Sequence, residues 1–392
     1  MQAALAPLKT VDEQVVLDRR LLHANPELGF QEHETARFVA ERLRALGLEP
    51  QTGVAGTGVV ALIQGARPGK TVMLRADMDA LPIDELNEVP YRSLKSGVMH
   101  ACGHDGHTAI LLNAARVLVE RRSQFAGTVK LIFQPCEETF PGGAVQMIEE
   151  GVLEAPHVDA VFGLHLGQDL PLGIVRAHPG PAMASADTFR ITITGKGGHG
   201  AMPELCVDAA LIAAQVTVAL HSIVAREVKP IDPAVVTVGS IHAGSAPNII
   251  PQTAVLTGTV RAFKPEVRRH LALRIEEIAV GVARAMRAEC ECEYIWGNPC
   301  LVNDAAMTAL VAETAKEIVG EDRVIVGEPI MGAEDFSSFL ECVPGCFFFV
   351  GTRNEERGLI WGHHHPRFDV DEAALPLGIE LMVAVAERYL AS

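Results

Sequence analysis

Aromatic side chains are scarce: Phe, Tyr and Trp make up 5% of the 392 residues. That is too few for the stacking platforms that hold single-stranded nucleic acid. Basic residues are also short, with 33 Lys and Arg against 49 Asp and Glu, a formal charge of −16. With no basic stretch to act as a local exception, nucleic acid is not an expected partner. Residues 1–8 lack the basic start of an export signal and run into Asp12 and Glu13. No apolar run reads as long enough to span a membrane, since Gln215 and Thr217 interrupt the longest, at 209–220. Neither Cys290-Glu-Cys292 nor Cys342-x3-Cys346 has zinc-ribbon spacing, and the eight cysteines are expected as free thiols in a reducing cytosol. Gly69-Lys70-Thr71 has Gln64 where a phosphate loop needs glycine, and a strand follows it where a helix is needed. Gly195-Lys-Gly-Gly-His-Gly200 lacks the Gly-Lys-Ser/Thr ending, and no Gly-x-Ser-x-Gly elbow occurs.

What is present is a soluble, globular composition, 48% hydrophobic and 21% charged, in a chain long enough for two domains. Thr10-x-x-Glu13 has the form of a capping box opening a helix to about His23, and Gly47 is a natural stop for a second helix. Strand-like runs at 58–63, 71–75, 128–133 and 160–164 are separated by helical patterns at 109–119 and 144–150. That alternation predicts a mixed sheet covered by helices. From Ala186 the order becomes strand, helix, strand, strand, helix, strand, which is the ferredoxin-like sandwich. After it the first style resumes. The expected architecture is therefore α/β: a catalytic domain from 1–185 and 298–392, interrupted by an α+β domain at 186–297.

The 15 histidines direct attention to chemistry. Met99-His-Ala-Cys-Gly-His-Asp-Gly-His-Thr108 packs three of them beside a cysteine and an aspartate, ahead of a helix. Cys102 and His104 are expected to ligate metal, thiolate and imidazole together suiting zinc and other late transition ions. Asp105 reads instead as the helix N-cap. Glu137 and Glu138 follow an apolar strand, where one carboxylate can bind metal while its neighbour works on water. His165 is expected to end another strand. His363, His364 and His365 stand together before Pro366, and Asp77 and Asp79 follow a strand from which they can orient ligand histidines.

These residues resemble the amidohydrolase branch of the aminoacylase and carboxypeptidase-like metallopeptidases, which includes hippurate hydrolase, indoleacetyl-amino-acid hydrolases and N-acetyl-diaminopimelate deacetylase. The resemblance runs from His23-Ala-Asn-Pro-Glu-Leu-Gly-Phe30 through Arg75-Ala-Asp-Met-Asp-Ala-Leu-Pro82, the cysteine loop and Gln134-Pro-Cys-Glu-Glu138. It continues with Gly197-Gly-His-Gly-Ala-Met-Pro203, Ala246-Pro-Asn-Ile-Ile-Pro251, Gly332-Ala-Glu-Asp-Phe336 and His364-His-Pro-Arg-Phe-Asp369. It implies a zinc-peptidase-like catalytic domain, with the inserted domain acting as a lid. It also implies two divalent ions, zinc foremost with manganese, cobalt or nickel as alternatives. Cys102 would bridge them, and His104, Glu138, His165 and His364 would complete the shell. Glu137 would be the general base and His199 would polarise the scissile carbonyl. Asn248 and Arg261 would hold the substrate carboxylate. The implied reaction is hydrolysis of N-acyl amino acids, with a dipeptidase or carboxypeptidase as the alternative. The implied assembly is a homo-oligomer, dimer or tetramer, and in some relatives the lid histidine serves the neighbouring subunit. Glu204, Ala209 and Cys136 depart from the usual residues at their positions, which bears on substrate preference.

Overall fold

The computed structural model describes residues 11–392. Thr10 and its capping box lie outside the described residues; the helix that follows runs Val11–Ala24. The chain divides into two compact units. One comprises the chain up to Gly180 together with Val302–Glu328 and Asp335–Ser392; the other comprises Pro181–Leu301 and Pro329–Glu334. The second unit thus begins and ends a few residues outside 186–297. It also recovers a short downstream segment, because Ile330 bridges Met183 and Ala184 N–H donates to the carbonyls of Ile330 and Gly332.

The first unit carries an eight-stranded mixed sheet in the order Gln51–Val54, Gly58–Gln64, Ala126–Gln134, Arg67–Asp77, Ala160–Pro171, Gly345–Arg353, Val175–Arg176, Val324–Ile325. The central strands Arg67–Asp77, Ala126–Gln134, Ala160–Pro171 and Gly345–Arg353 run parallel. Their long buried stretches, at 129–133 and 161–166, suit strands covered on both faces. The helices His104–Arg121 and Ala374–Ala391 pack on this sheet and on each other. Register places Asp77 opposite Gln134 and Arg75 opposite Gly163. The parallel register therefore brings Asp77 and Asp79, Glu137 and Glu138, and His165, which lies within its strand, to one end of the sheet, where sites collect in α/β folds.

Two expectations need correction here. His165 does not end its strand, which continues to Pro171; polar Gln168 and Asp169 hid the continuation. Asp105 is not an N-cap. The helix starts at His104 behind Gly103, whose φ of 93° makes the entry turn, and Asp105 is buried in the first turn.

The second unit is a four-stranded antiparallel sheet in the order Ala234–Ala243, Thr253–Ala262, Ser185–Thr194, Glu289–Ile295. With helices Ala209–Leu220 and Pro265–Ala285 packed against it, this is the ferredoxin-like arrangement. Phe189, Ile191 and Ile193 alternate along their strand and meet Ile212, Val216, Leu271 and Ile275 from the helices. By length and composition alone, Ala209–Glu227 does reach spanning size, with a mean hydropathy of 1.5, contrary to the sequence reading. Its buried residues Ile212, Ala213, Val216 and Leu220 face the sheet of this unit.

Candidate metal centre

Four groups of metal-capable side chains converge in the first unit, the ligand atoms of each group lying within 4.8 Å of one another. They are Cys102, Glu138 and His364; His104, Glu137 and Glu138; Cys102, His165 and His363; and His104, His107 and His165. Cys102 and Glu138 each belong to two groups, so the donors form one cluster rather than scattered pairs.

Hydrogen bonding sorts the histidines, because the partner of one ring nitrogen decides what the other can do. His104 Nδ1 lies 2.9 Å from the Asp79 carbonyl and His165 Nδ1 lies 3.1 Å from the Leu166 carbonyl. A carbonyl only accepts, so both rings hold a proton on Nδ1, which leaves Nε2 facing the cluster as the atom that would ligate an ion. His104 Nε2 is buried without a hydrogen-bond partner. His107 is different: its Nε2 accepts the Leu166 N–H at 2.9 Å and its Nδ1 donates to Asp77 Oδ1 at 2.7 Å. With both nitrogens engaged it has no lone pair for an ion. It holds the backbone beside His165 instead.

Carboxylates brace the ligands from behind. Asp79 Oδ1 lies 3.2 Å from His104 Nδ1, and Asp79 Oδ2 accepts the Glu138 N–H at 3.0 Å. Arg75 donates to Asp77 at 2.6 Å, to Gln134 at 2.8 Å and to Asp335 at 3.0 Å, all of them buried. Asp77 thus contacts His107 and Asp79 contacts His104. His364 stands at φ 64° with its N–H on the Ala101 carbonyl at 2.8 Å, and its Nε2 lies 3.2 Å from Glu138 Oε1. Glu137 Oε2 and Glu138 Oε1 are each 4.0 Å from His104 Nε2.

The electrostatics favour a bound cation. Burial, and then Glu138, Glu137 and Asp77, push the Cys102 thiol well above its ordinary range. His104 is raised to about 10, because Asp77 and Asp79 outweigh the cost of burial. Divalent ions held here would supply positive charge and favour the thiolate form of Cys102. The buried His104 Nε2, which has no hydrogen-bond partner, points to the same need. Soft sulfur, imidazole and carboxylate donors in overlapping groups fit a pair of such ions.

The other expected site residues lie in the second unit. His199 is exposed on a two-residue strand that pairs with Ile249, and Asn248 accepts the Gly200 N–H at 2.8 Å, so these two are neighbours. His199 Nδ1 accepts the Ala201 N–H at 3.0 Å, which puts its proton on Nε2. Arg261 is on a different strand, opposite Ala186, and its guanidinium donates to Thr259 and to the Val260 carbonyl. Sequence reasoning missed Glu32, whose buried carboxylate accepts the Cys136 N–H, and the contacts of His107 to Leu166 and Asp77. No local pattern marks Glu32, since its contact spans 104 residues.

A mixed sheet beside whose strand ends thiol, imidazole and paired carboxylates gather fits a metal-dependent hydrolase of the amidohydrolase type. Residues 73–388 match peptidase family M20/M25/M40, and the chain belongs to that family. It is 42% identical to thermostable carboxypeptidase 2 of Saccharolobus solfataricus over 385 residues, 97% of each chain. It is 41% identical to N-acetyl-L-cysteine deacetylase of Bacillus subtilis over 385 residues, 98% of this chain and 90% of that one. The crystal structure of the Bacillus subtilis YXEP protein, described as a dinuclear metal binding peptidase, aligns with a TM-score of 0.83 at 35% identity, covering 97% of this chain and 99% of that one.

Proposed function

We propose that this chain hydrolyses the amide bond of N-acyl amino acids, releasing a carboxylic acid and a free amino acid. The observation that carries the proposal is Glu137, a carboxylate adjoining Glu138 in sequence and 4.0 Å from the unpaired Nε2 of His104. A storage site has no need of a base at that position. Cys102, His104, Glu138, His165 and His364 would hold two ions, with Cys102 shared between them. The thiolate favours zinc, and the ions when bound supply Lewis acidity toward water and the scissile carbonyl. Glu137 takes the proton from the attacking water and returns it to the leaving amine. His199 carries its proton on Nε2, the form needed to donate to the developing oxyanion. Asn248 and Arg261 hold the substrate carboxylate. The protein works as a cytosolic homo-oligomer on small acylated substrates.

Cleavage of unblocked peptides is the second reading, supported by the similarity to a protein named carboxypeptidase. A panel of acetyl- and benzoyl-amino acids against free dipeptides separates the two. Glu137→Gln tests the chemistry itself: turnover falls at least ~10²-fold, the scale of lost general-base catalysis, while elemental analysis finds the metal content unchanged. Near-normal turnover in that variant removes Glu137 from the reaction.

A further inference from the structure

Two histidines stand at the same distance from one sulfur. His165 Nε2 and His363 Nδ1 are each 3.7 Å from Cys102 Sγ. Their chemistry is opposite. The proton of His165 is committed to the Leu166 carbonyl, so its nitrogen facing Cys102 offers a lone pair. His363 Nε2 accepts the Gln168 N–H at 3.3 Å, so its proton sits on Nδ1, the atom facing the sulfur. The ring is held between Phe368, at 5.0 Å, and His165, at 5.1 Å. Consecutive residues of an extended segment point to opposite sides. The left-handed φ of 64° at His364 breaks that alternation, letting His363 and His364 both reach Cys102 from one loop.

We propose that His363 is a positioning residue which donates its Nδ1 proton to Cys102 Sγ, drawing electron density from the thiolate and so tuning its hold on the metal ions. This rests on the reading of Cys102 as a thiolate ligand. An N–H donor lowers the energy of the sulfur lone pair, which weakens its donation and leaves the ions more electrophilic. His363 itself contributes no bond to metal.

The test uses apo protein reloaded with saturating cobalt(II), comparing wild type, Cys102→Ser, His363→Leu and His363→Asn. The asparagine amide presents an N–H near the position of Nδ1; leucine presents none. The wild type is expected to show a near-ultraviolet thiolate-to-cobalt absorption that Cys102→Ser lacks. His363→Asn keeps the band in place, and His363→Leu moves it to longer wavelength with two cobalt ions still bound. Cobalt affinity in His363→Leu changes by ~10–100-fold, the usual scale for a partner behind a ligand. Loss of one ion from His363→Leu at saturation makes His363 a ligand and overturns the proposal. An unmoved band in His363→Leu, or an equal shift in both variants, also overturns it. A wild-type spectrum identical to that of Cys102→Ser defeats the thiolate reading itself, whatever the His363 variants show.

Discussion

Cys136 stands at φ 50°, in the region that disfavours a side chain, one residue before Glu137. Its N–H is held by buried Glu32 Oε1 at 2.8 Å, while Glu32 Oε2 accepts the Thr57 hydroxyl at 2.6 Å. Gly29 gives the loop room, since a Cβ there would lie 2.7 Å from Cys136 Sγ. The direction of Glu137 therefore depends on a carboxylate outside the metal-capable groups. Replacing Glu32 by Ala frees a strained residue and leaves two donors without their acceptor, each worth ~1–3 kcal/mol when buried. The expected result is a kcat lowered ~10–100-fold with KM nearly unchanged, read by steady-state kinetics on samples of measured metal content. Loss of stability with kcat intact would reduce Glu32 to a packing role. At this scale the motifs around Cys102, Glu138 and His364 were legible because each packs metal-capable side chains into a few residues. Glu32, His107 and His363 were not. Their roles depend on backbone groups at Cys136, Leu166 and Gln168 that only the folded chain brings near.

The helix His104–Arg121 is anchored by its first turn rather than by a cap. Asp105 Oδ2 accepts Arg19 Nε at 2.7 Å and pairs with His23 Nδ1 at 2.8 Å, and Arg19 also reaches Asp369 at 2.7 Å. All of these groups are buried. Burial alone would raise the Asp105 carboxyl, but Arg19 and then His23 hold it far below the usual carboxylate range. A folded pKa below the unfolded value, about 3.9, gives stability that is fully present above about pH 4 and lost progressively below it. Asp105→Asn removes one partner of a buried pair, a change that typically costs ~3–5 kcal/mol; the remaining partners of Arg19 put the expected loss at the lower end. The difference in unfolding free energy between wild type and variant, from denaturant titrations, should be largest near neutrality and narrow below pH 4. A gap independent of pH would mean that the Asp105 charge is not the anchor. Element types were readable from periodicity, as the agreement at Glu289–Ile295 illustrates. Ends were not, where burial overrides local pattern: Asp105 resembles a cap until Arg19, far away in the chain, claims it.

Over the whole molecule, the return of sheet-and-helix patterning after the ferredoxin-like stretch led to the expectation of an interrupted domain, and the first compact unit is drawn from three stretches of chain. The return of Pro329–Glu334 to the second unit was not readable, since a six-residue segment carries no periodicity of its own. Every residue assigned to the metal cluster comes from the first unit, yet Cys102, Glu138, His165 and His364 belong to separate segments. Two divalent ions would therefore act as cross-links between those segments, besides offsetting four units of the −16 charge. Without them, the Cys102 thiol is pushed up toward its neutral form and His104 is raised to about 10, so less positive charge faces the carboxylates. An ion present at 100 times its dissociation constant contributes ~2.7 kcal/mol to the folded state, and this contribution is felt where the ligands are. Chelation should consequently speed amide hydrogen exchange in segments 101–112, 134–144 and 359–368. The strands Ser185–Thr194 and Thr253–Ala262, which supply no ligand, should keep their protection. Restoring zinc should reverse the change in the same three segments. Exchange that rises equally in both units, or in neither, would contradict a metal centre assembled wholly within the first unit.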